Sequence, residues 1–163
     1  MAAEKSGQPE EEKGRTLFFR SGGELFALDV GAVDEIAVDL DWTAVPMAPA
    51  AVVGVVNHRG EIYTVLDFAR LSGVGGGREG VVAVFLHRRE MSVGVTVQSI
   101  DGIEWVPRRL MDQGAAEVKD SPGFLKGTID FGGKVANVID EEGLAGTIAR
   151  LAESSGEESG YGE

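Results

Sequence analysis

The chain repeats itself, and that limits its fold more than any other feature. Displaced by 67 positions, LFFRSGGELFALDVGAVDEIAV lies over VFLHRREMSVGVTVQSIDGIEW, pairing Phe18 with Phe85, Leu28 with Val95, Val33 with Ile100, Asp34 with Asp101 and Ile36 with Ile103. Displaced by 73, GVVNHRGEIYTVLDFARL lies over GTIDFGGKVANVIDEEGL, pairing Gly54 with Gly127, Gly60 with Gly133, Ile62 with Val135, Asp67 with Asp140 and Leu71 with Leu144. The difference between the two displacements is absorbed by a loop region from Pro107 to Gly123. A periodicity of this kind means two copies of one structural unit.

Within each copy the apolar residues come in short runs rich in Val, Ile and Phe, bounded by Gly, Asp or Pro: TLFFRS, ELFALDV, EIAVDL, VVGVVN and EIYTVL, then VVAVFLH, MSVGVTV, GIEWV, LKGTIDF and KVANVI. These are strand signals. Each unit therefore reads as about five strands closing with a short helix, and a small sheet of that size hides its edges by curling into a barrel. The expectation is an all-β chain of two similar five-stranded β-barrel lobes with short helices. A C-terminal helix is expected over 141–151, where Leu144, Ile148 and Leu151 form a stripe and Glu141 and Glu142 favour the N-terminal end of the helix dipole.

The ends differ from the middle. Residues 1–15 and 152–163 are rich in Glu, Gly and Ser and poor in large apolar side chains, so both are expected to be disordered tails, the second acidic. Lobe 1 is expected over about 16–73 and lobe 2 over about 81–140, joined by a flexible glycine-rich linker over 74–80. No secretory leader and no apolar stretch able to cross a bilayer is evident, so a cytoplasmic location without membrane insertion is expected. A formal charge of −12, with no dense basic cluster, argues against nucleic acid as a partner.

Catalytic constellations are lacking. There is no cysteine, and the two histidines, His58 and His87, fall at unmatched places in the repeat and in no metal-binding spacing. The serines have no nucleophile elbow, and the glycines of SGVGGGREG have no helix opening after them to complete a phosphate cradle. Neither an enzyme nor a cofactor or metal is expected. NHRG and DFGG occupy matching places between two strands and read as hairpin turns, with Asp67 and Asp140 as helix N-caps. The second copy of the turn lacks both His and Arg, so the fold needs neither side chain there, and Arg59 is surplus to it. Trp42 and Trp105 read as partner contacts or as core or rim fillers, the packing role being the commoner one for such residues.

The stretches LFALDVGAVDEIAV, VPMAPAAVVGVVNHRGEIYTVLDFARLSG, SVGVTVQSIDGIEWV and GFLKGTIDFGGKVANVID, in this order, resemble the CheW-like coupling proteins of bacterial chemotaxis, over about Leu17 to Leu151. The resemblance implies two intertwined SH3-like lobes, no catalysis, and a bridge between the cytoplasmic tip of chemoreceptors and the regulatory domain of the histidine kinase CheA in membrane-associated receptor arrays. It places the receptor-binding groove at Val30, Val33, Glu35, Ile36 and Arg59, with Ile100 and Ile103 from the second unit, and the kinase-facing surface on the first lobe. His58 and Gln98 depart from the family pattern, which more often has an apolar residue such as Leu and an Asp at these places. Two other readings stay open: an adaptor of the same fold for a kinase pathway in motility or development, and a barrel that binds a small ligand or oligosaccharide.

Overall fold

The computed structural model describes residues 11–73, 82–87, 91–113 and 123–159. All ten expected strands are present: β1 (Lys13–Ser21), β2 (Glu24–Asp29), β3 (Val33–Val38), β4 (Val52–His58), β5 (Glu61–Asp67), β6 (Val82–Leu86), β7 (Val93–Val97), β8 (Ser99–Pro107), β9 (Leu125–Phe131) and β10 (Lys134–Ile139). Among the described residues the strands are accompanied by a 3-10 turn (Val30–Ala32) and three α-helices: α1 (Phe68–Ser72), α2 (Arg108–Gln113) and, after the last strand, α3 (Glu141–Ser159). Asp67 caps α1 as expected, its side chain accepting from the Ala69 N–H.

The strands form two five-stranded sheets, in the orders β8-β1-β2-β10-β9 and β3-β6-β7-β5-β4. Substituting each strand by its partner in the repeat turns one order into the other, so the duplication in sequence is a duplication in space. The two copies are nevertheless exchanged. Each sheet takes two strands from one half of the chain and three from the other, which corrects the expected division into consecutive lobes over 16–73 and 81–140. The parallel pairs β2–β10 and β5–β7 and the antiparallel pairs β1–β8 and β3–β6 are the joints of this exchange. Lobe here therefore means a sheet with its core, not a stretch of chain.

Strand alternation sends side chains to both faces of a sheet, and here both faces are buried. One face of the first sheet encloses Phe18, Leu25, Ala27, Val106, Ile129, Ala136 and Val138, contributed by all five of its strands. One face of the second encloses Val56, Tyr63, Val65, Ala83 and Phe85. The opposite faces meet in a third, larger cluster, where Leu17, Phe19, Phe26 and Leu28 face Leu66, Val84, Val93 and Val95. Phe68 of α1 sits in the middle of it, edge-on to Phe19 at 5.0 Å and to Phe26 at 4.8 Å. Truncating one such fully buried ring costs about 3–5 kcal/mol, so this seam makes the two lobes one cooperative body.

The expected ends need correction. β1 starts at Lys13, because Lys13, Gly14 and Arg15 continue the ladder opposite Pro107, Val106 and Trp105; backbone pairing does not require apolar side chains. At the other end α3 continues past Leu151 to Ser159, since a helix already seated by Leu144 and Ile148 propagates cheaply. The linker expected over 74–80 lies outside the described residues. α2 falls within the stretch read as a loop and is held by Leu110 and Met111 against the core of the first lobe.

Candidate functional site

The β4–β5 connection is a two-residue turn in which Arg59 (φ 56°) and Gly60 (φ 84°) are both left-handed, the geometry of a type I′ hairpin. The Asn57 side chain accepts from the Gly60 N–H and tightens it. The matching turn between β9 and β10 has Gly132 (φ 60°) and Gly133 (φ 81°) at the same two places. Glycine meets this demand freely, whereas an L-residue with a Cβ is strained there by about 1–2 kcal/mol. The turn thus displays Arg59 at a cost, and the side chain is 76% exposed.

Its neighbours make a charged cluster. Arg59 Nη2 lies 3.3 Å from Glu35 Oε2 on β3, and His58 Nε2 lies 3.1 Å from the same oxygen. The His58 ring stacks on Phe85 of β6, with centroids 4.9 Å apart and an interplanar angle of 23°, and Tyr63 packs on the same phenyl ring. Burial, followed by the negative charges of Glu61, Asp34 and Glu35, pushes the Tyr63 phenol above its ordinary range.

The duplication supplies an internal control. In the other lobe Phe131 stands for His58 and stacks on Phe18, the partner of Phe85, with the rings 8° from parallel. Gly132 stands for Arg59 and Gly102 for Glu35. One lobe therefore carries Glu35, His58 and Arg59 where its copy carries two glycines and a phenylalanine. Folding needs none of these charges.

The apolar members of the expected groove come from three elements: Val30 in the 3-10 turn before β3, Val33 and Ile36 on β3, and Ile100 and Ile103 on β8 of the first sheet. Val30, Val33, Ile36 and Ile100 all pack against the central cluster as half-buried residues. Val33 and Ile36 share that face although strict alternation would separate them, because a β-bulge lies between Val33 and Glu35. The second copy repeats the device: Ile100 is opposite Phe19 and Ile103 opposite Leu17, across a bulge in the β1–β8 ladder. Ile103 is 44% exposed. The seven residues thus divide into four apolar ones packed on the seam between the lobes, the exposed Ile103 opposite Leu17, and the Glu35–Arg59 pair in the second lobe. β3 and β8, which carry most of these residues, are each the edge strand of their sheet.

Sequence reasoning missed His58 as a member of the cluster, and the signal was available in its departure from an apolar residue at that position. Trp42 packs against the core of the second lobe as expected, whereas Trp105 is 61% exposed and fills no core.

The family model of the CheW-like domain matches residues 15–149. The chain belongs to the CheW-like family. It is 28% identical over 131 residues to the chemotaxis protein CheW of Rhizobium meliloti, covering 78% of this chain and 84% of that one. The corresponding protein of Thermotoga maritima is 25% identical over 126 residues, with 76% and 82% covered. In fold the chain is similar to the scaffolding protein CheW from Thermoanaerobacter tengcongensis, with a TM-score of 0.69 at 20% identity over 78% of this chain and 89% of that chain. Membership in the CheW-like family makes the chain a non-catalytic chemotaxis scaffold rather than an enzyme. No helix among the described residues is long and apolar enough to cross a membrane.

Proposed function

We propose that this CheW-like chain is a stoichiometric adaptor that couples the cytoplasmic tip of chemoreceptors to the regulatory domain of the histidine kinase CheA. The reading rests on the asymmetry between two otherwise equivalent lobes. A strained, exposed arginine is kept beside a half-buried glutamate in one lobe, while the duplicate turn is built with glycine. A feature that costs stability and that the fold does not require belongs to recognition. The receptor's helical hairpin would lie along β3, with apolar anchors on Val30, Val33, Ile36, Ile100 and Ile103 and its register fixed by Glu35 and Arg59; this is the helix-in-groove mode. Recruitment to membrane-associated arrays would then pass through the receptor. The relatives named as chemotaxis proteins favour this pathway over motility or development.

The test measures binding of the wild type and of Arg59→Ala to a receptor tip fragment and, separately, to the kinase regulatory domain. Alanine keeps a non-glycine residue in the left-handed position, so the turn is unchanged in kind. Loss of a central arginine anchor costs on the order of 2 kcal/mol, so receptor binding should weaken more than tenfold while kinase binding persists. Equal loss of both partners by a folded variant, or unchanged receptor binding, would overturn the groove assignment.

A further inference from the structure

His58 has a duplicate that isolates what its imidazole adds. Phe131, at the matching place, stacks on Phe18 as His58 stacks on Phe85, so an aromatic ring alone satisfies the packing. What the histidine adds is a nitrogen 3.1 Å from Glu35 Oε2, the oxygen that Arg59 Nη2 also reaches at 3.3 Å. Two donors share one acceptor atom, and they differ in freedom. The His58 side chain is 18% exposed and held by the Phe85 ring, whereas that of Arg59 is 76% exposed on a flexible stem.

Charge decides how the oxygen is shared. With a neutral imidazole, which must carry its hydrogen on Nε2 to face a carboxylate, Glu35 and Arg59 balance and the cluster has no net charge. A proton on His58 leaves it with one positive charge in excess and strengthens the imidazole's hold on the carboxylate. Of the two cations now repelling each other, the exposed guanidinium is the one able to leave. Histidine is the side chain whose charge ordinarily changes between about pH 5 and 8.

We propose that His58 is a positioning residue that sets the availability of Arg59: when protonated it takes Glu35 for itself and releases the guanidinium to an acidic partner, and when neutral it leaves Arg59 tethered. The consequence for receptors rests on the adaptor reading above; the exchange within the cluster does not. The other charged groups facing the site keep their own engagements. Glu61 of β5, the cross-strand neighbour of His58, accepts from the Ser92 hydroxyl. Asp34 of β3 lies 3.6 Å from His87, an exposed histidine. The Tyr63 ring, 6.4 Å from His58, stays neutral through this pH range, since its phenol is raised from an ordinary value of 10.0 that already lies above it.

The first measurement needs no partner. The full chain, labelled at arginine side chains, is followed by NMR from about pH 8 to 5.5. The Arg59 Nε–H signal should move with the same midpoint as the His58 ring and do so equally in His87→Gln. In His58→Phe, which copies Phe131, and in Glu35→Gln the movement should be absent. An Arg59 signal indifferent to pH in the wild type, or an undiminished response in His58→Phe, overturns the proposal. The second measurement is affinity for a receptor tip fragment over the same range. Binding should tighten by roughly two- to fivefold on acidification in the wild type, the scale of one added charge at an exposed site, and remain level in folded His58→Phe. A level wild-type affinity despite a moving Arg59 signal would overturn the recognition role. A fragment that binds at no pH, with the NMR response intact, refutes the adaptor reading and leaves the exchange within the cluster standing.

Discussion

Arg59 and Gly132 occupy the same position in two type I′ hairpins related by the internal duplication, with φ of 56° and 60°. The backbone is alike in both, so the pair separates what the turn requires from what the arginine adds. Replacing Arg59 by glycine writes the second copy of the turn into the first.

Arg59→Gly is therefore expected to fold with its stability almost unchanged. Relief of the left-handed residue returns about 1 kcal/mol, while the greater freedom of glycine in the unfolded chain removes about 0.5–1 kcal/mol. The lost contact with Glu35 is solvent-screened and contributes little. Thermal denaturation should give a Tm within about 3 °C of the wild type, taking 2–4 °C per kcal/mol for a chain of this size. A fall of more than about 10 °C would mean that the side chain holds the lobe together.

The exchanged topology predicts that neither half of the chain folds alone. β1 and β2 lack their neighbours β8 and β10 in a fragment ending at Gly73, and β6 and β7 lack β3 and β5 in one starting at Val82. Both fragments would also expose the central aromatic cluster. Each should be unfolded by circular dichroism, and co-expressed halves should elute as one species with the β-spectrum of the whole chain. An independently folded half would contradict the strand order.

All ten strands were legible because their apolar runs are short, β-branched and bounded by turn residues. The duplication was legible too, but a repeat names the unit without saying which copy a strand will join. Hence the consecutive lobes expected from Phe18 matching Phe85 gave way to exchanged ones. Val33 and Ile36 share a face only because of a bulge, and a bulge leaves no mark in a pattern of period two. α2 was invisible for another reason: RRLMDQ has no helical stripe long enough to read, and the core of the first lobe stabilises it. The cluster at Glu35 was half legible. Arg59 stood out against its glycine counterpart, whereas the role of His58 depends on Phe85, which only the folded chain brings beneath it.

Truncation should locate the N-terminal boundary before Lys13 and not at Thr16. Lys13, Gly14 and Arg15 pair with β8, the Arg108 N–H donates to the Glu12 carbonyl at 2.8 Å, and the Arg109 guanidinium meets Glu11. A chain beginning at Glu11 should keep the wild-type Tm. One beginning at Thr16 loses several ladder bonds at about 1 kcal/mol each, on the order of 2–3 kcal/mol in total, and should melt roughly 5–10 °C lower. Equal melting of the two would show that this end of the ladder adds nothing.

Stability should fall on the alkaline side, through two groups in different lobes. Lys134 is raised above its ordinary value of 10.5, first by its hydrogen bond to Glu104 and also by Asp101, against a lowering by burial. Tyr63 is raised above 10.0, first by burial and then by Glu61, Asp34 and Glu35. In both cases the folded chain holds the proton more tightly than the unfolded chain. Their contribution is complete below the unfolded values and is lost as pH rises through the folded ones, so the window opens near pH 10. Chemical denaturation at a series of pH values from about 9 to 11.5 should show this decline. Tyr63→Phe keeps a ring against Phe85 and removes the ionisable phenol, so its curve should fall less steeply, with the remaining slope due to Lys134. If Tyr63→Phe declines as steeply as the wild type, the phenol is not held in its protonated form by its burial and the acidic groups beside it.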